Sequence, residues 1–266
     1  KVFDEDTGSE LIFLEHIDQM IGLVDSDTKL PIINSTDPAY IIYTSGSTGN
    51  PKGVEISHSA FANYVFWASS FYKMNEGEGV LLHGSISFDA TLTTIFPPLI
   101  SGQTIKIVDK TDDPIRGLVE AINRERDISL IKLTPAHLDL LNSAFNKKIP
   151  KKRVRTLILG GEALKSSALE PWLENNTETK IINEYGPTET VVGCCIHEAR
   201  KSDLEYPTIP IGRPINNTNL TVIDDCGSLL PIGVAGELAI SGAGLATGYI
   251  NQADLTESKF VSLSES

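Results

Sequence analysis

Between Val80 and Ile182, short apolar runs alternate with amphipathic segments, and this alternation restricts the fold more than any other feature of the chain. Val80–His83, Thr104–Val108, Leu130–Leu133, Val154–Leu159 and Lys180–Ile182 have the length and β-branched character of strands. Phe88–Ile100, Ile115–Arg124, Pro135–Phe145 and Ser166–Glu174 lie between them and read as helices. The first should stop at the Pro97-Pro98 pair, and the third carries proline in its opening turn. Apolar strands that alternate with helices form a parallel sheet covered on both faces. From about Val191 the pattern changes: Leu220–Ile223 and Glu237–Ile240 are separated by Gly, Pro and Asp turns with no long helix between. The expected class is α/β, a mostly parallel sheet with helices on both faces followed by an antiparallel, barrel-like β region. Residues 1–190 would form the α/β core and 191–266 the β-rich part of the same subdomain.

Composition sets limits on function. With 266 residues, 41% of them hydrophobic, the chain can bury a large core. A net charge of -13 disfavours nucleic-acid or anionic-membrane partners, so a negative ligand would need a local pocket of cations or N–H groups. No apolar run reaches membrane-spanning length, and the acidic opening Lys1-Val-Phe-Asp-Glu-Asp is not that of a signal peptide. Adjacent Cys194 and Cys195, with Cys226, suggest neither a disulfide framework nor a zinc spacing; reduced thiols and a cytoplasmic protein are expected. His58, His83, His137 and His197 have no metal spacing either and are expected to be structural.

Tyr40 to Gly53 is the densest stretch of chemistry. Tyr40–Tyr43 reads as a buried strand. Thr44, Ser45, Ser47 and Thr48 then supply hydroxyls, and Gly46, Gly49 and Gly53 allow close backbone approach to a ligand. Successive N–H groups in such a loop can form an anion-binding nest, and Lys52 adds a point charge suited to phosphate. Pro51 before Lys52 and Gly53 after it exclude a Walker loop. Ser57 is a suitable N-cap for a helix to about Lys73, whose Phe61, Tyr64, Phe66, Trp67 and Phe71 should leave it largely buried. Ligands of parallel α/β sheets bind beyond the carboxyl ends of the strands, so Thr44–Gly53, Ser85–Ala90, Gly160–Glu162 and Asn183–Glu189 should converge on one cleft.

The Tyr40–Gly53 loop, Asn183-Glu-Tyr-Gly-Pro-Thr-Glu189 and Gly236-Glu-Leu…Ala-Thr-Gly-Tyr249 together resemble the core motifs of adenylate-forming enzymes, the superfamily of acyl-CoA synthetases, luciferases and the adenylation domains of nonribosomal peptide synthetases. The resemblance implies that carboxylate attack on the α-phosphorus of ATP gives an acyl-adenylate and pyrophosphate, by positioning and charge stabilisation rather than a protein nucleophile. It implies that Tyr185 stacks on adenine, Thr188 bonds the α-phosphate and Glu189 holds Mg²⁺, with Lys52, Thr188 and Glu189 as the catalytic set. Gly160-Gly161-Glu162, Asn183 and Gly186 would line the nucleotide site with the loop residues. Thr247 stands where the family usually has arginine, and the third motif reads as mainly structural.

Phe88-Asp89 points to the peptide-synthetase branch. Asp89 resembles the aspartate that binds a substrate α-ammonium, and Phe88 the aromatic residue beside the substrate carboxylate. The positions lining the side-chain pocket in that branch are Asp89, Ala90, Thr93, Lys132, Ile158, Gly160, Glu184, Val192 and Gly193, and the set is similar to the asparagine pattern, in which leucine usually stands at Ala90. Lys132 can donate to an amide oxygen and Glu184 accept from the amide nitrogen. A second carboxylate beside Glu184 would be disfavoured, so Glu184→His should shift preference toward aspartate. The resemblance also implies a phosphopantetheine-bearing carrier domain and a condensation domain as partners. The family's N-terminal region, its Tyr-Arg-Thr-Gly-Asp motif and its small C-terminal subdomain with a catalytic lysine are not in this sequence, so the chain is expected to be part of a larger domain and inactive alone. A non-catalytic core that only binds nucleotide or amino acid, and an acyl-CoA synthetase, are the competing readings.

Overall fold

The computed structural model describes residues 31–45, 50–109, 113–175 and 178–262, and the architecture below is that of the unit beginning at Ser35. The chain enters an antiparallel hairpin, β1 (Pro38–Thr44) and β2 (Lys52–Ser57), with Thr44 opposite Lys52. Helix α1 (His58–Phe71) follows at once; the Ser57 side chain accepts from the Ala60 N–H and satisfies one of the donors a helix start leaves open. Lys73, at φ 50°, breaks the helical path after α1.

Five strands then build the parallel part of a seven-stranded sheet: β3 (Val80–Leu82), β4 (Ile105–Ile107), β5 (Ile128–Leu133), β6 (Val154–Gly160) and β7 (Lys180–Tyr185). β8 (Cys195–Glu198) and β9 (Arg213–Pro214) join antiparallel at one side, giving the order β4-β3-β5-β6-β7-β8-β9. Between the strands lie α2 (Phe96–Ile100), α3 (Pro114–Arg124), α4 (Pro135–Ala144) and α5 (Ser166–Asn175). Asp113 caps α3 by accepting from the Ile115 and Arg116 N–H groups, and Thr134 caps α4 through His137 N–H. β10 (Thr218–Ile223) and β11 (Glu237–Gly242) pair as an antiparallel ladder, and β12 (Gly248–Tyr249) adds to β2. The chain's last described helix is α6 (Ala253–Lys259). The expected α/β class is observed, with the antiparallel region formed by the β10–β11 ladder and the β1-β2-β12 sheet.

Side chains alternate across a strand, so each strand of the parallel sheet feeds two apolar layers. Leu130, Ile158 and Ile182 pack with Val54, Tyr64, Trp67 and Val80 beneath α1. Ile131, Leu157, Leu159 and Ile181 pack on the other face with Leu118 and Ile122 of α3, Leu138 and Leu141 of α4, and Leu169 and Trp172 of α5. Burying each such aliphatic side chain contributes roughly 1.5–3 kcal/mol relative to exposure. Trp172 also donates to Asn142 Oδ1 at 2.8 Å, while Asn142 donates to the Ala168 carbonyl, so the polar groups under α5 are satisfied.

Four expectations need correction. β1 is not buried: Tyr43 is 64% exposed, and the strand belongs to a separate antiparallel sheet in which the exposed and half-buried positions fit an outer strand. Phe66 of α1 is 68% exposed, because the helix rests one face on the sheet and turns the opposite one to solvent. Phe88–Ile100 is not one helix; a 3-10 turn over Asp89–Thr94 precedes α2, and Pro97-Pro98 open α2 instead of ending the preceding segment. A helix's first turn has no use for those N–H groups, so proline fits there. Finally, β7 runs to Tyr185, which puts Asn183 and Glu184 inside the strand and not in the loop beyond it.

Candidate functional site

The carboxyl ends of β5, β6 and β7 set the site's floor. In the sheet Lys132 lies opposite Ile158, Ile158 opposite Ile182, and Gly160 opposite Glu184. The period of two then puts Lys132, Ile158, Gly160 and Glu184 on the α1 face, two residues beyond the apolar positions Leu130 and Ile182. Gly160 leaves the space open: a Cβ there would stand 2.6 Å from the Glu184 carbonyl oxygen.

Glu184 is the best-held side chain of this surface. Its side chain is 1% exposed and forms an ion pair with Lys132, itself 6% exposed. Its other oxygen, Oε1, accepts from the hydroxyls of Tyr64 and Tyr72, both at 2.8 Å. Lys132 Nζ also donates to Thr93 Oγ1 at 2.9 Å, and Thr93 Oγ1 lies 2.6 Å from the Tyr64 hydroxyl. Tyr64 has one hydroxyl hydrogen, and with it on Glu184 the short contact must run from Thr93 to Tyr64. The ring is therefore directed: Lys132 to Thr93, Thr93 to Tyr64, Tyr64 to Glu184, closed by Lys132 on Glu184. Burial, then the Glu184 charge, pushes both tyrosine hydroxyls well above the ordinary phenol value, so they remain donors.

Asp89 opens the 3-10 turn that carries Thr93. Burial raises its carboxyl above the ordinary range; the Lys132 charge and bonds from the Thr188 hydroxyl and the Ala90 N–H reverse this only in part. Val192 is buried, and Gly193 backs Glu184: a Cβ on Gly193 would stand 2.6 Å from Cγ, Cδ and Oε1 of that residue. Phe88, by contrast, is 68% exposed.

Beyond Thr188 the 3-10 turn Thr188–Thr190 presents Glu189 to the β1–β2 hairpin. Lys52 Nζ lies 2.6 Å from Glu189 Oε1 and 3.0 Å from the Tyr249 hydroxyl, which donates to the same Glu189 oxygen at 2.6 Å. Burial alone would raise the Glu189 carboxyl, but the Lys52 and Tyr249 bonds outweigh it and hold it below the usual range. Thr44, at the mouth of the loop, has a buried hydroxyl with no hydrogen-bond partner among the described residues. The loop residues Gly46, Ser47, Thr48 and Gly49 lie outside the described residues. Lys52, Glu189, Thr188, Asp89, Lys132 and Glu184 thus form one continuous line of polar side chains, with Lys52 supplied by the separate three-stranded sheet.

Other expected residues have structural partners. Asn183 donates to the carbonyls of Ile209 and Pro210, and Glu162 accepts from the Ala136 N–H at the start of α4. Tyr185, at the end of β7, is partly exposed, and its carbonyl accepts from the Cys194 N–H. Gly186 is required by close packing: a Cβ would stand 2.7 Å from Gly193 Cα. Gly161 adopts φ 89°, a conformation glycine tolerates best. His197 pairs with Asp203 at 2.8 Å, and His83 meets His137 edge-on. All three cysteines are free thiols. Among the described residues no group of three or more His, Cys, Asp or Glu could hold a metal, and no helix is long and apolar enough to cross a membrane.

Sequence reasoning missed Tyr40, Tyr64, Tyr72 and Tyr249. Tyr64 was indistinguishable from the apolar aromatics around it, and Tyr72 lay in the closing turn of its helix. Tyr249 carried a signal, its place at the end of the glycine-rich third motif, which reads as structural without Lys52 and Glu189 beside it. The Tyr40 hydroxyl is buried with no partner among the described residues, and burial, followed by the Asp89 charge, raises it above the ordinary phenol value.

A mostly parallel sheet with a buried Lys132–Glu184 pair at its carboxyl edge and a lysine-bearing hairpin beside it defines an α/β protein of the kind whose ligands bind beyond the strand ends. The sequence profile of AMP-binding enzymes matches residues 4–250, and the chain belongs to that family. It is 38% identical to bacitracin synthase 3 of Bacillus licheniformis over 97% of this chain and 4% of that protein. It is 41% identical to tyrocidine synthase 3 of Brevibacillus parabrevis over 89% of this chain and 4% of that protein. The crystal structure of the nonribosomal peptide synthetase FmoA3 superimposes with a TM-score of 0.83 at 26% identity, over 92% of this chain and 26% of that one. The expected resemblance to peptide-synthetase adenylation domains is borne out. The chain spans only 4% of the length of each of these two curated relatives.

Proposed function

We propose that this chain is the amino-acid- and ATP-binding part of an adenylation domain that activates L-asparagine for nonribosomal peptide synthesis. An oxygen of the amino acid's carboxylate attacks the α-phosphorus of ATP, the bond to the bridging oxygen of pyrophosphate breaks, and aminoacyl-AMP remains for transfer to the phosphopantetheine of a carrier domain. A condensation domain would use the product.

The observation that carries the reading is the hydrogen-bond tally of the buried pair. An ionised carboxylate has about four acceptor positions and an ammonium three N–H groups. Tyr64, Tyr72 and Lys132 take three positions on Glu184, and Glu184 and Thr93 take two of the Lys132 hydrogens. One acceptor position on Glu184 and one Lys132 hydrogen remain. A primary amide presents the complement, an N–H donor and a carbonyl acceptor. A leucine side chain would leave both buried and unmet, and a site of this type can reject it by roughly 10⁴–10⁵. Asp89, next to Lys132 and Thr188, would hold the α-ammonium.

For the nucleotide, the Thr44 hydroxyl, buried with no partner among the described residues, and the Lys52 ammonium suit phosphate oxygens. Glu189 would hold Mg²⁺: its Oε1 is occupied by Lys52 and Tyr249, and a single carboxylate with phosphate oxygens is a usual setting for that ion. When bound, Mg²⁺ would neutralise phosphate charge. Tyr185 would stack on adenine, with Gly161, Glu162, Asn183 and Gly186 around it. ATP–pyrophosphate exchange in the complete synthetase module that carries this chain tests the assignment: L-asparagine should give the fastest exchange, and an equal or faster response to leucine or phenylalanine would overturn it.

A further inference from the structure

Glu184 and Lys132 could satisfy each other. A carboxylate that turned both oxygens toward the ammonium would leave a closed pair with no need of a ligand. The structure shows what prevents this. Oε1 is held away from Lys132 by two hydroxyls on a different element, Tyr64 within α1 and Tyr72 just past its end. Both rings are fixed by burial at 0% and 3% exposure, and Trp67 packs against both, with centroids at 5.8 and 5.3 Å. Gly193, with no Cβ, leaves the carboxylate room to hold this position, since a Cβ there would stand 2.6 Å from Cγ, Cδ and Oε1 of Glu184. Glu184 therefore meets Lys132 through Oε2 alone.

We propose that Tyr64 and Tyr72 are positioning residues that determine side-chain selectivity: by occupying Oε1 they keep the Lys132–Glu184 pair open, so that one donor and one acceptor stay available to an amide. The proposal rests on the asparagine-pocket reading above. Neither tyrosine needs to touch the substrate; each acts through Glu184. Thr93 completes the device, since its hydrogen goes to Tyr64 and its lone pair to Lys132, which leaves no spare group to satisfy Glu184 otherwise.

The test uses the complete synthetase module carrying this chain, with Tyr72→Phe as the first variant and Tyr64→Phe as the second; each removes one hydroxyl and keeps the ring. Exchange is measured against asparagine, leucine and ATP concentration, with thermal unfolding to establish that each variant is folded. Loss of one donor to a carboxylate should lower the asparagine-over-leucine ratio of kcat/KM by on the order of tenfold or more. The fall should come through a higher KM for asparagine, with the KM for ATP unchanged. A purely structural role would lower all responses together and leave the ratio in place. A ratio within twofold of wild type in a folded variant overturns the proposal, and either variant alone suffices to read it. If wild type itself prefers leucine, the pocket reading fails and the proposal with it; that outcome is read before any variant is made and is distinct from failure of the tyrosine clamp.

Discussion

Gly193→Ala tests the Glu184 clamp with a single methyl group. Gly193 is not at positive φ, so alanine is compatible with its backbone and the effect is one of space. The new Cβ would stand 2.6 Å from Cγ, Cδ and Oε1 of Glu184. Non-bonded carbon atoms rest at about 3.5–4.0 Å, so something must move by roughly 1 Å. An exposed glutamate would swing aside at little cost, but this one is tied by Tyr64, Tyr72 and Lys132. If the carboxylate moves, at least one hydrogen bond to a charged group goes, worth about 1.5–3 kcal/mol. If the backbone moves, Gly193 is driven toward Gly186, whose own packing against it is close, and overpacking of this kind costs typically about 1–3 kcal/mol. Either route predicts a loss of about 1–3 kcal/mol. Urea unfolding of the 266-residue chain should give a lower midpoint at unchanged slope, and the complete module should lose its asparagine response. A change below about 0.5 kcal/mol, with the asparagine response intact, would show that Glu184 is free to move and that the clamp has been misjudged.

Two further substitutions address the charges. Lys132→Met strands the Glu184 carboxylate in a buried site and should destabilise the chain by about 3–5 kcal/mol, whereas Lys132→Met with Glu184→Gln should recover most of that, because the glutamine oxygen still accepts from the tyrosines; equal loss in the single and double variants would refute the pairing. For Asp89 the carboxyl is raised above its ordinary 3.8, so the folded state holds the proton more tightly than the unfolded chain. Stability is therefore lost as pH rises from that value through the folded-state one, and Asp89→Asn removes the loss. The variant should be more stable than wild type at pH 7, the difference vanishing toward pH 4, while the amino-acid response disappears. Urea midpoints across that range decide it, and a variant less stable than wild type at pH 7 would count against the buried-charge account.

Much of the fold was legible because the central parallel strands β5, β6 and β7 are largely apolar on both faces, as interior strands are. The floor of the site was legible for a related reason. Lys132 and Glu184 interrupt or end apolar runs, and side chains of that kind at the carboxyl ends of strands invite a ligand. What misled was polarity read too locally. Asn183 and Glu184 resemble loop residues, so β7 was expected to stop at Ile182, yet Glu184 enters the strand because Tyr64, Tyr72 and Lys132 satisfy it there. Such partners are 120, 112 and 52 residues away in sequence, beyond the reach of any local pattern. Tyr40–Tyr43 failed in the opposite sense: its β-branched and aromatic residues suit an outer strand as well as an inner one, and propensity does not tell them apart. Pro97-Pro98 failed because proline marks helix starts and helix ends with the same residue.

Val191 and Val192 bring these threads together. Both are β-branched and both adopt left-handed conformations, φ 56° and 68°, where glycine would be expected. Conformations of this kind cost on the order of 1–3 kcal/mol each and persist only where surroundings over-determine them. Here they are held by burial of both side chains, by the Val191 N–H on the Thr188 carbonyl, and by Cys194 N–H on the Tyr185 carbonyl. The result of the tight path is specific. It folds the chain back so that Glu189 meets the hairpin lysine and Thr188 meets Asp89, while Gly193, only four residues past Glu189, lies against Glu184. A relaxed loop in glycine would adopt the same path among many others. Two buried valines select it, because their side chains have nowhere else to pack, and so they fix the distance between Glu189 and Glu184. Strain that would be a defect in a scaffold is, at this position, what keeps the two halves of the site in register.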